Sequence, residues 1–133
     1  MPITFEVDHE RAVVFIFATG IVTRQEILAH MDERDRAGAS CYSQLVDASN
    51  VQIDLSLQDL PKIAAATRKS TRGGKIPKIA IVTDSFYFRA IATAYSGLTR
   101  ADTPDFEIFK SVAAARAWIL PDETSVRSAA APG

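Results

Sequence analysis

The most informative segment of the chain is Leu45-Val46-Asp47-Ala48-Ser49-Asn50-Val51-Gln52-Ile53-Asp54-Leu55-Ser56-Leu57-Gln58-Asp59-Leu60. Apolar residues lead up to Asp47, and the Ser, Asn and Asp residues that follow are types that hydrogen-bond their own backbone in turns. Ser56 stands three residues before Asp59, which is the spacing of a helix capping box. We interpret the stretch as the end of a buried strand, a polar loop and the start of a helix.

This polar loop is the first candidate site, because ligands in open α/β sheets usually bind at the carboxyl ends of strands. Its candidate residues are Asp47, Ser49, Asn50, Asp54 and Ser56. They can line a polar pocket or hold a cation, although side-chain bonding within the loop explains them equally well. We interpret Ser56 first as the N-cap of the helix. The alternative is a phosphoacceptor, since a phosphate at a helix N-terminus is stabilised by the dipole and the free amides.

Periodic patterns on both sides of this stretch predict alternating strands and helices. The predicted strands cover residues 3–7, 12–18, 42–48, 76–83 and 105–109, and Gly20 is expected to end the second. Helices are expected after the caps Thr23, Ser56, Asp84 or Ser85, and Ser111. Pro61 would collide with the preceding turn if the second helix began at Ser56, so we expect its regular part to begin nearer Asp59 or Leu60.

The predicted order is therefore β-β-α-β-α-β-α-β-α, which places the chain in the α/β class. An opening hairpin followed by strand-helix alternation predicts a mostly parallel sheet with one antiparallel edge strand and helices covering it. A single domain is expected over residues 1–120. Residues 121–133 are rich in Ser, Ala and Pro and are predicted to be a disordered C-terminal tail.

Composition excludes several classes of protein. The chain has 133 residues, 47% of them hydrophobic, and can bury one ordinary core. Its 15 basic and 16 acidic side chains give a net charge of −1, so no field attracts nucleic acid. No apolar run approaches the roughly 18 residues of a membrane-spanning helix. The single cysteine, Cys41, and an N-terminus without the features of a signal peptide predict a cytoplasmic protein.

A second candidate site follows the fourth predicted strand, in the sequence Asp84-Ser85-Phe86-Tyr87-Phe88-Arg89. It is expected at the same edge of the sheet as the polar loop. Three aromatic residues beside an arginine predict an exposed apolar patch that contacts a partner or lines a lipid-like pocket. The alternative is that Phe88 and one neighbour belong to the core. The candidate residues here are Asp84, Ser85, Phe86, Tyr87, Arg89 and Tyr95.

Neither a metal centre nor a catalytic centre is predicted. His9, His30 and Cys41 lack the spacing of a metal site, and no Ser-His-Asp order or carboxylate pair is present. No cofactor motif is found, since the glycines at 73 and 74 follow a helix and precede a strand, unlike those of a phosphate loop. The charged run Asp32–Arg36 of the first helix is interpreted as a solvated face.

The chain resembles the STAS superfamily, and more closely its SpoIIAA-like branch of small bacterial proteins, also described as STAS/CRAL-TRIO-like. The resemblance covers the element order over residues 3 to 120. It also rests on Gly20-Ile21-Val22-Thr23, on Leu45-Val46-Asp47-Ala48-Ser49 and on Asp54-Leu55-Ser56. It implies a non-enzymatic domain that binds a protein partner or a small apolar ligand, often as a homodimer.

STAS proteins that antagonise anti-sigma factors carry an Asp-x-Ser segment and an Asp-Ser-Ser-Gly-like segment with a phosphorylated serine. Asp47-Ala48-Ser49 fits the first segment, but Asp54-Leu55-Ser56-Leu57 lacks the serine after Asp54 and the glycine. A phosphorylatable anti-sigma-factor antagonist therefore ranks behind the other interpretations.

Three hypotheses remain, and the core distinguishes them. A closed core would favour a regulatory or protein-interaction module, which is our first hypothesis. An apolar cavity between the third helix and the sheet would favour a carrier of a small apolar or lipid-like ligand. A cleft that gathers Asp47, Asp54 and Asp84 would favour an enzyme, which ranks last because no nucleophile, base and oxyanion donors can be assigned.

Overall fold

The computed structural model describes residues 2–121. Its strands are β1 (Ile3–Asp8), β2 (Val13–Thr23), β3 (Ser43–Asp54), β4 (Lys78–Val82) and β5 (Asp105–Phe109). Its α-helices are α1 (Arg24–Arg36), α2 (Leu60–Thr71), α3 (Phe86–Leu98) and α4 (Val112–Ile119). This succession confirms the predicted order of elements. Residues 122–133 of the predicted tail lie outside the described residues.

The strands form one sheet in the order β1-β2-β3-β4-β5. β1 pairs with β2 antiparallel, and the remaining neighbours are parallel. The predicted mostly parallel sheet with one antiparallel edge strand is therefore confirmed. Each crossover steps to the next strand in the same direction, and crossovers share one hand, so α1, α2 and α3 lie together on one face. α4 packs on the other face against β3, β4 and β5.

Strand β4 shows what this layering requires of the sequence. Ile79 and Ile81 pack on the α3 side with Ala92, whereas Ala80 and Val82 pack with α4 on the opposite side. Because both faces of the strand are covered, these four consecutive residues are all buried. The strand is shorter at both ends than the predicted 76–83.

Side-chain caps start three of the helices where the sequence predicts them. At α1, Thr23 Oγ1 accepts a 3.4 Å hydrogen bond from the Glu26 N–H, and the Glu26 carboxylate accepts one of 3.0 Å from the Thr23 N–H. At α3, Ser85 Oγ accepts from the Phe88 N–H at 3.1 Å, and Ser111 caps α4 in the same way. These caps fix the points at which the helices leave the carboxyl edge of the sheet.

The second helix starts late, as Pro61 predicts. A 3-10 turn at Leu57–Asp59 comes first, and α2 then begins at Leu60 with Pro61 in its first turn. The Ser56 N–H and Oγ both donate to the Asp59 carboxylate, at 2.9 and 3.2 Å. The N–H donation is the main cause that lowers the pKa of Asp59.

The predicted ends of the second and third strands are wrong. Gly20 lies inside β2 with a φ of +69°, and the segment predicted as a polar loop after Ala48 is strand as far as Asp54. The two strands stay paired beyond a β-bulge, in which the single residue Ala18 lies opposite both Ala48 and Ser49. The bulge inserts one residue into β3 and so breaks the alternation by which a strand is recognised in a sequence.

Candidate ligand cavity

An apolar cavity of about 160 Å³ lies between the sheet and the layer formed by α1, α2 and α3. Its strand wall includes Ile16, Ala18 and Val22 of β2, Val46, Val51 and Ile53 of β3, and Ile79 and Ile81 of β4. The branched side chains of this wall offer no hydrogen bonds. β2 and β3 both continue beyond the ends predicted from the sequence, so the cavity is longer than the predicted strands would allow.

The β-bulge decides which residues of β3 face the cavity. Before the bulge Gln44 and Val46 line the cavity, and after it Val51 and Ile53 do. The extra residue thus changes the inward-facing positions from even to odd numbers, while β2 keeps its regular alternation. Without that change, the polar side chains of Asn50 and Gln52 would face the helices.

The helix wall combines apolar side chains with two basic ones. Ile27, His30, Met31 and Arg34 of α1 line the cavity at intervals of three, four and seven residues, which is one face of a helix. The other helices contribute Leu60, Ile63 and Thr67 of α2 and Phe88, Ile91, Ala92 and Tyr95 of α3.

Arg34 is a buried cation at this cavity. Its side chain is 3% exposed, and its Nε has no hydrogen-bond partner among residues 2–121. Burial lowers its pKa, and the charge of the neighbouring Asp35 acts in the opposite direction. The Asp35 carboxylate is itself held by the hydroxyls of Ser40 at 2.6 Å and Ser70 at 2.5 Å. A guanidinium keeps its proton in proteins, so the cavity contains a positive charge.

His30 lies one helical turn before Arg34 and is also buried, at 8% exposure. Neither ring nitrogen has a hydrogen-bond partner in the described part of the chain. Its ring meets the Phe5 ring edge-on, with centroids 5.1 Å apart. Burial, followed by the charge of Arg34, lowers the pKa of His30 from 6.5 to about 4. The imidazole is therefore neutral at pH 7 and has one donor and one acceptor to offer.

Further polar groups lie at the same end of the cavity. Arg34 is in the last turns of α1, Gln44 begins β3, and Tyr95 is near the end of α3, so all three lie toward the amino ends of the parallel strands. The Tyr95 hydroxyl and Thr67 Oγ1 are 2.6 Å apart, and Thr67 also donates to the Ile63 carbonyl at 3.0 Å. Burial raises the pKa of Tyr95, which keeps the phenol neutral. One end of the cavity is thus polar and the rest is apolar.

The residues predicted in the polar loop do not line this cavity. Asp47 is half-buried and accepts hydrogen bonds from the N–H and Oγ of Ser49, at 3.1 and 2.7 Å. Asn50, Asp54 and Ser56 are exposed. Bonding within the segment, which the sequence left open as the alternative, accounts for Asp47 and Ser49.

The aromatic candidates are divided between surface and cavity. Phe86 is 89% exposed and Tyr87 52%, whereas Phe88 and Tyr95 line the cavity. The Tyr87 hydroxyl donates to the backbone carbonyl of Leu55, whose side chain also lines the cavity. The remaining candidates of this group are Asp84 and Arg89, which are exposed, and Ser85, which caps α3.

Sequence reasoning missed His30, Arg34 and Gln44. The predicted solvated face Asp32–Arg36 is wrong at Arg34, which points inward. A signal for the two α1 residues was present, because His30 and Arg34 continue the spacing that begins at Ile27. Charged helix residues are almost never fully buried without a partner. That rule favours an exposed position for Arg34, which is why the sequence predicts a solvated face there.

Within the described residues, no three His, Cys, Asp or Glu side chains are grouped so that they could hold a metal ion. No helix in residues 2–121 combines the length and apolar character needed to cross a bilayer.

The fold and cavity define a small α/β domain with a SpoIIAA-like fold. The chain is similar to the crystal structure of an uncharacterised protein of the DUF3478 family with a SpoIIAA-like fold from Shewanella loihica, at a TM-score of 0.60 and 18% sequence identity. The match covers 88% of this chain and 93% of that chain. It confirms the fold implied by the resemblance to STAS proteins. No protein-family model and no curated protein matches the chain.

Proposed function

We propose that this protein binds a small apolar molecule in the cavity between the sheet and α1, α2 and α3. The cavity itself carries the proposal, because protein interiors are close-packed and hold few voids larger than a water molecule. A cavity of about 160 Å³ leaves its lining side chains without the contacts of a close-packed core, so the ligand-free protein is less stable than a filled one. A bound ligand offsets this loss of stability.

The volume limits the size of the ligand. An apolar cavity of about 150 Å³ in another protein stays dry and binds benzene. The cavity described here has a similar volume and a lining rich in Ile, Val and Phe. The apolar part of the ligand is therefore about as large as one six-membered ring or a short hydrocarbon chain.

The same cavity supports the carrier hypothesis over the other two. It lies between the third helix and the sheet, where the sequence analysis expects it for a ligand carrier. Asp47, Asp54 and Asp84 are absent from its lining, which supports binding rather than catalysis. We therefore propose a non-enzymatic role, in which the protein carries or senses its ligand.

Filling the cavity tests the proposal. Ala92→Leu places three extra carbon atoms in the cavity, because Ala92 is 3% exposed and lines it. We expect the variant to melt at a higher temperature than the parent and to lose the thermal shift that toluene gives the parent. Ala90→Leu is the matched control, since Ala90 is exposed on the same helix. It should keep the toluene response.

Native mass spectrometry of freshly purified protein, compared with the denatured mass, gives an independent measurement. We expect an adduct that disappears on denaturation and is absent from Ala92→Leu. A parent protein that shows no adduct and no melting shift with toluene would contradict the proposal.

A second candidate function is a regulatory or protein-interaction module, which the exposed start of α3 favours. Phe86, Tyr87 and Leu57 are 89%, 52% and 67% exposed, and Tyr87 is bonded to the carbonyl of Leu55 close to Leu57. Exposed large apolar side chains of this kind mark contact surfaces. We call the surface formed by these two aromatic rings and the side chain of Leu57 the aromatic surface. A homodimer formed through it is the simplest partner arrangement.

Changing the aromatic surface tests this second function. Sedimentation should show a dimer for the parent and a monomer for the double variant Phe86→Ser, Tyr87→Ser, because burial of the two rings would stabilise the interface. Val112→Ser removes an apolar side chain that is 41% exposed on the opposite side of the sheet, and it should leave the dimer intact. If the double variant keeps both the oligomer size and the ligand content of the parent, the aromatic surface has neither role.

A further inference from the structure

We propose that the ligand of the cavity carries a carboxylate, which the Arg34 guanidinium binds while the hydrocarbon part occupies the apolar remainder. This inference rests on the proposed binding function and names the chemistry of the ligand. It starts from a cost that the protein fold alone leaves unexplained. A buried charge is expensive unless an opposite charge and hydrogen bonds compensate it.

Among residues 2–121, the charge of Asp35 compensates Arg34 in part, but Arg34 has no ion pair and no hydrogen bond from Nε. Its side chain is 3% exposed at the cavity, and Nε donates to no group among residues 2–121. The ion pairs of the described residues do not include Arg34. Asp35 is the neighbouring acid, but it forms no ion pair with Arg34, and its Oδ1 accepts hydrogen bonds from Ser40 and Ser70. The unbonded Nε donor of Arg34 is therefore available to a ligand in the cavity.

The shape of the guanidinium selects the acceptor. It is planar, always charged, and presents parallel N–H groups that fit the two oxygens of a carboxylate. A cationic ligand would be repelled. A neutral apolar ligand would leave the donors unbonded, and it would gain nothing from the burial of Arg34.

His30 strengthens the case for an oxygen acid. It lies four residues before Arg34, so the two side chains share one face of α1, and both line the cavity. Both of its ring nitrogens lack partners among the described residues, and its exposure is only 8%. A neutral imidazole can donate one N–H to a carboxylate oxygen that Arg34 already holds. The two residues together supply the donors for one carboxylate head.

Matched ligands test the inference at pH 7. Benzoate, benzamide and benzamidinium have one ring and nearly one shape, but their charges are negative, zero and positive. Calorimetric titration should show benzoate binding at least about tenfold more tightly than benzamide, because a hydrogen bond to a charged group is stronger than one to a neutral group. Benzamidinium should bind least well. Hexanoate and hexanamide repeat the comparison with a flexible chain.

Variants of α1 test whether the preference for benzoate over benzamide depends on Arg34. Arg34→Met keeps a side chain of similar length without the charge, and we expect it to bind benzoate and benzamide with equal affinity. Retained benzamide binding shows that the variant is folded. Arg36→Met is the control, because Arg36 is exposed on the same helix, and it should keep the tenfold preference. Arg34→Lys should keep only part of it, because an ammonium lacks the planar arrangement of donors.

The outcomes separate this inference from the proposed function. If benzoate and benzamide bind the parent equally, or benzamidinium binds best, the carboxylate is wrong although the cavity does bind apolar molecules. The same conclusion follows if Arg34→Met keeps the preference for benzoate. If none of these ligands and no toluene binds, both the inference and the proposed function fail.

Discussion

At the scale of single residues, His30 couples the stability of the protein to pH. Its ring is neutral in the folded protein because burial lowers its pKa from 6.5 to about 4. The groups around it are Arg34 on its own helix and the Phe5 ring of β1. Between pH 6.5 and 4 the unfolded chain therefore binds a proton that the folded protein rejects.

We predict that the free energy of unfolding falls as the pH is lowered from 6.5 to 4. The contribution of His30 is fully present above pH 6.5, and at about 1.4 kcal/mol per pKa unit its loss amounts to roughly 3 kcal/mol. Urea unfolding at pH 7 and pH 4.5 gives the fall in the free energy of unfolding for the parent and for His30→Leu. The fall should be smaller in His30→Leu by about the contribution of His30. His9→Asn is the control, since His9 is exposed, and it should follow the parent. Equal pH dependence in the parent and His30→Leu would contradict the prediction.

Arg34 shows why the polar end of the cavity escaped sequence analysis. The residues around it, Asp32 to Arg36, have the mixed charges of a solvated helix face. Only the regular spacing from Ile27 distinguishes Arg34 from its charged neighbours, and a sequence gives no sign of a ligand that would compensate a buried charge. Tyr95 is predicted correctly as a cavity residue, because an aromatic side chain on an apolar helix face needs no opposite charge to be buried.

At the scale of secondary structure, local rules predicted the helices and missed part of the sheet. A cap such as Thr23 acts on residues three positions away, so that the sequence alone shows it. The pairing of β2 with β3 beyond Ala18 instead joins residues about thirty positions apart. The sequence pattern predicts a loop at Ser49, Asn50 and Gln52, because the bulge that turns these polar side chains outward depends on that distant pairing.

The same bulge connects the fold to the candidate site. It moves Val51 and Ile53 to the helix side and so extends the apolar wall toward Leu55 and the aromatic surface. The sequence analysis located a site at the carboxyl edge of the sheet, near these residues. The cavity reaches that edge, but its charged end lies on α1, outside both predicted segments.

At the scale of the whole molecule, the cavity and the buried charge both lower the stability of the ligand-free protein. Each is a known cost of placing a binding site inside a core. A ligand that fills the volume and neutralises Arg34 offsets both costs together. Binding to the folded state alone raises stability by about 2.7 kcal/mol at a ligand concentration of one hundred times Kd.

The cost of the buried charge predicts that removing the charge of Arg34 raises the stability of the ligand-free protein and weakens its response to benzoate. Arg34→Met should raise the free energy of unfolding of the ligand-free protein by roughly 1–4 kcal/mol, because an apolar side chain of similar volume replaces a partly compensated buried charge. Benzoate should raise the urea unfolding midpoint of the parent more than that of the variant at the same concentration, whereas benzamide should shift both to a similar extent. Arg36→Met, on the exposed side of α1, should change stability by less than about 0.5 kcal/mol. If Arg34→Met is instead destabilised by several kcal/mol, Arg34 supports the fold rather than the ligand.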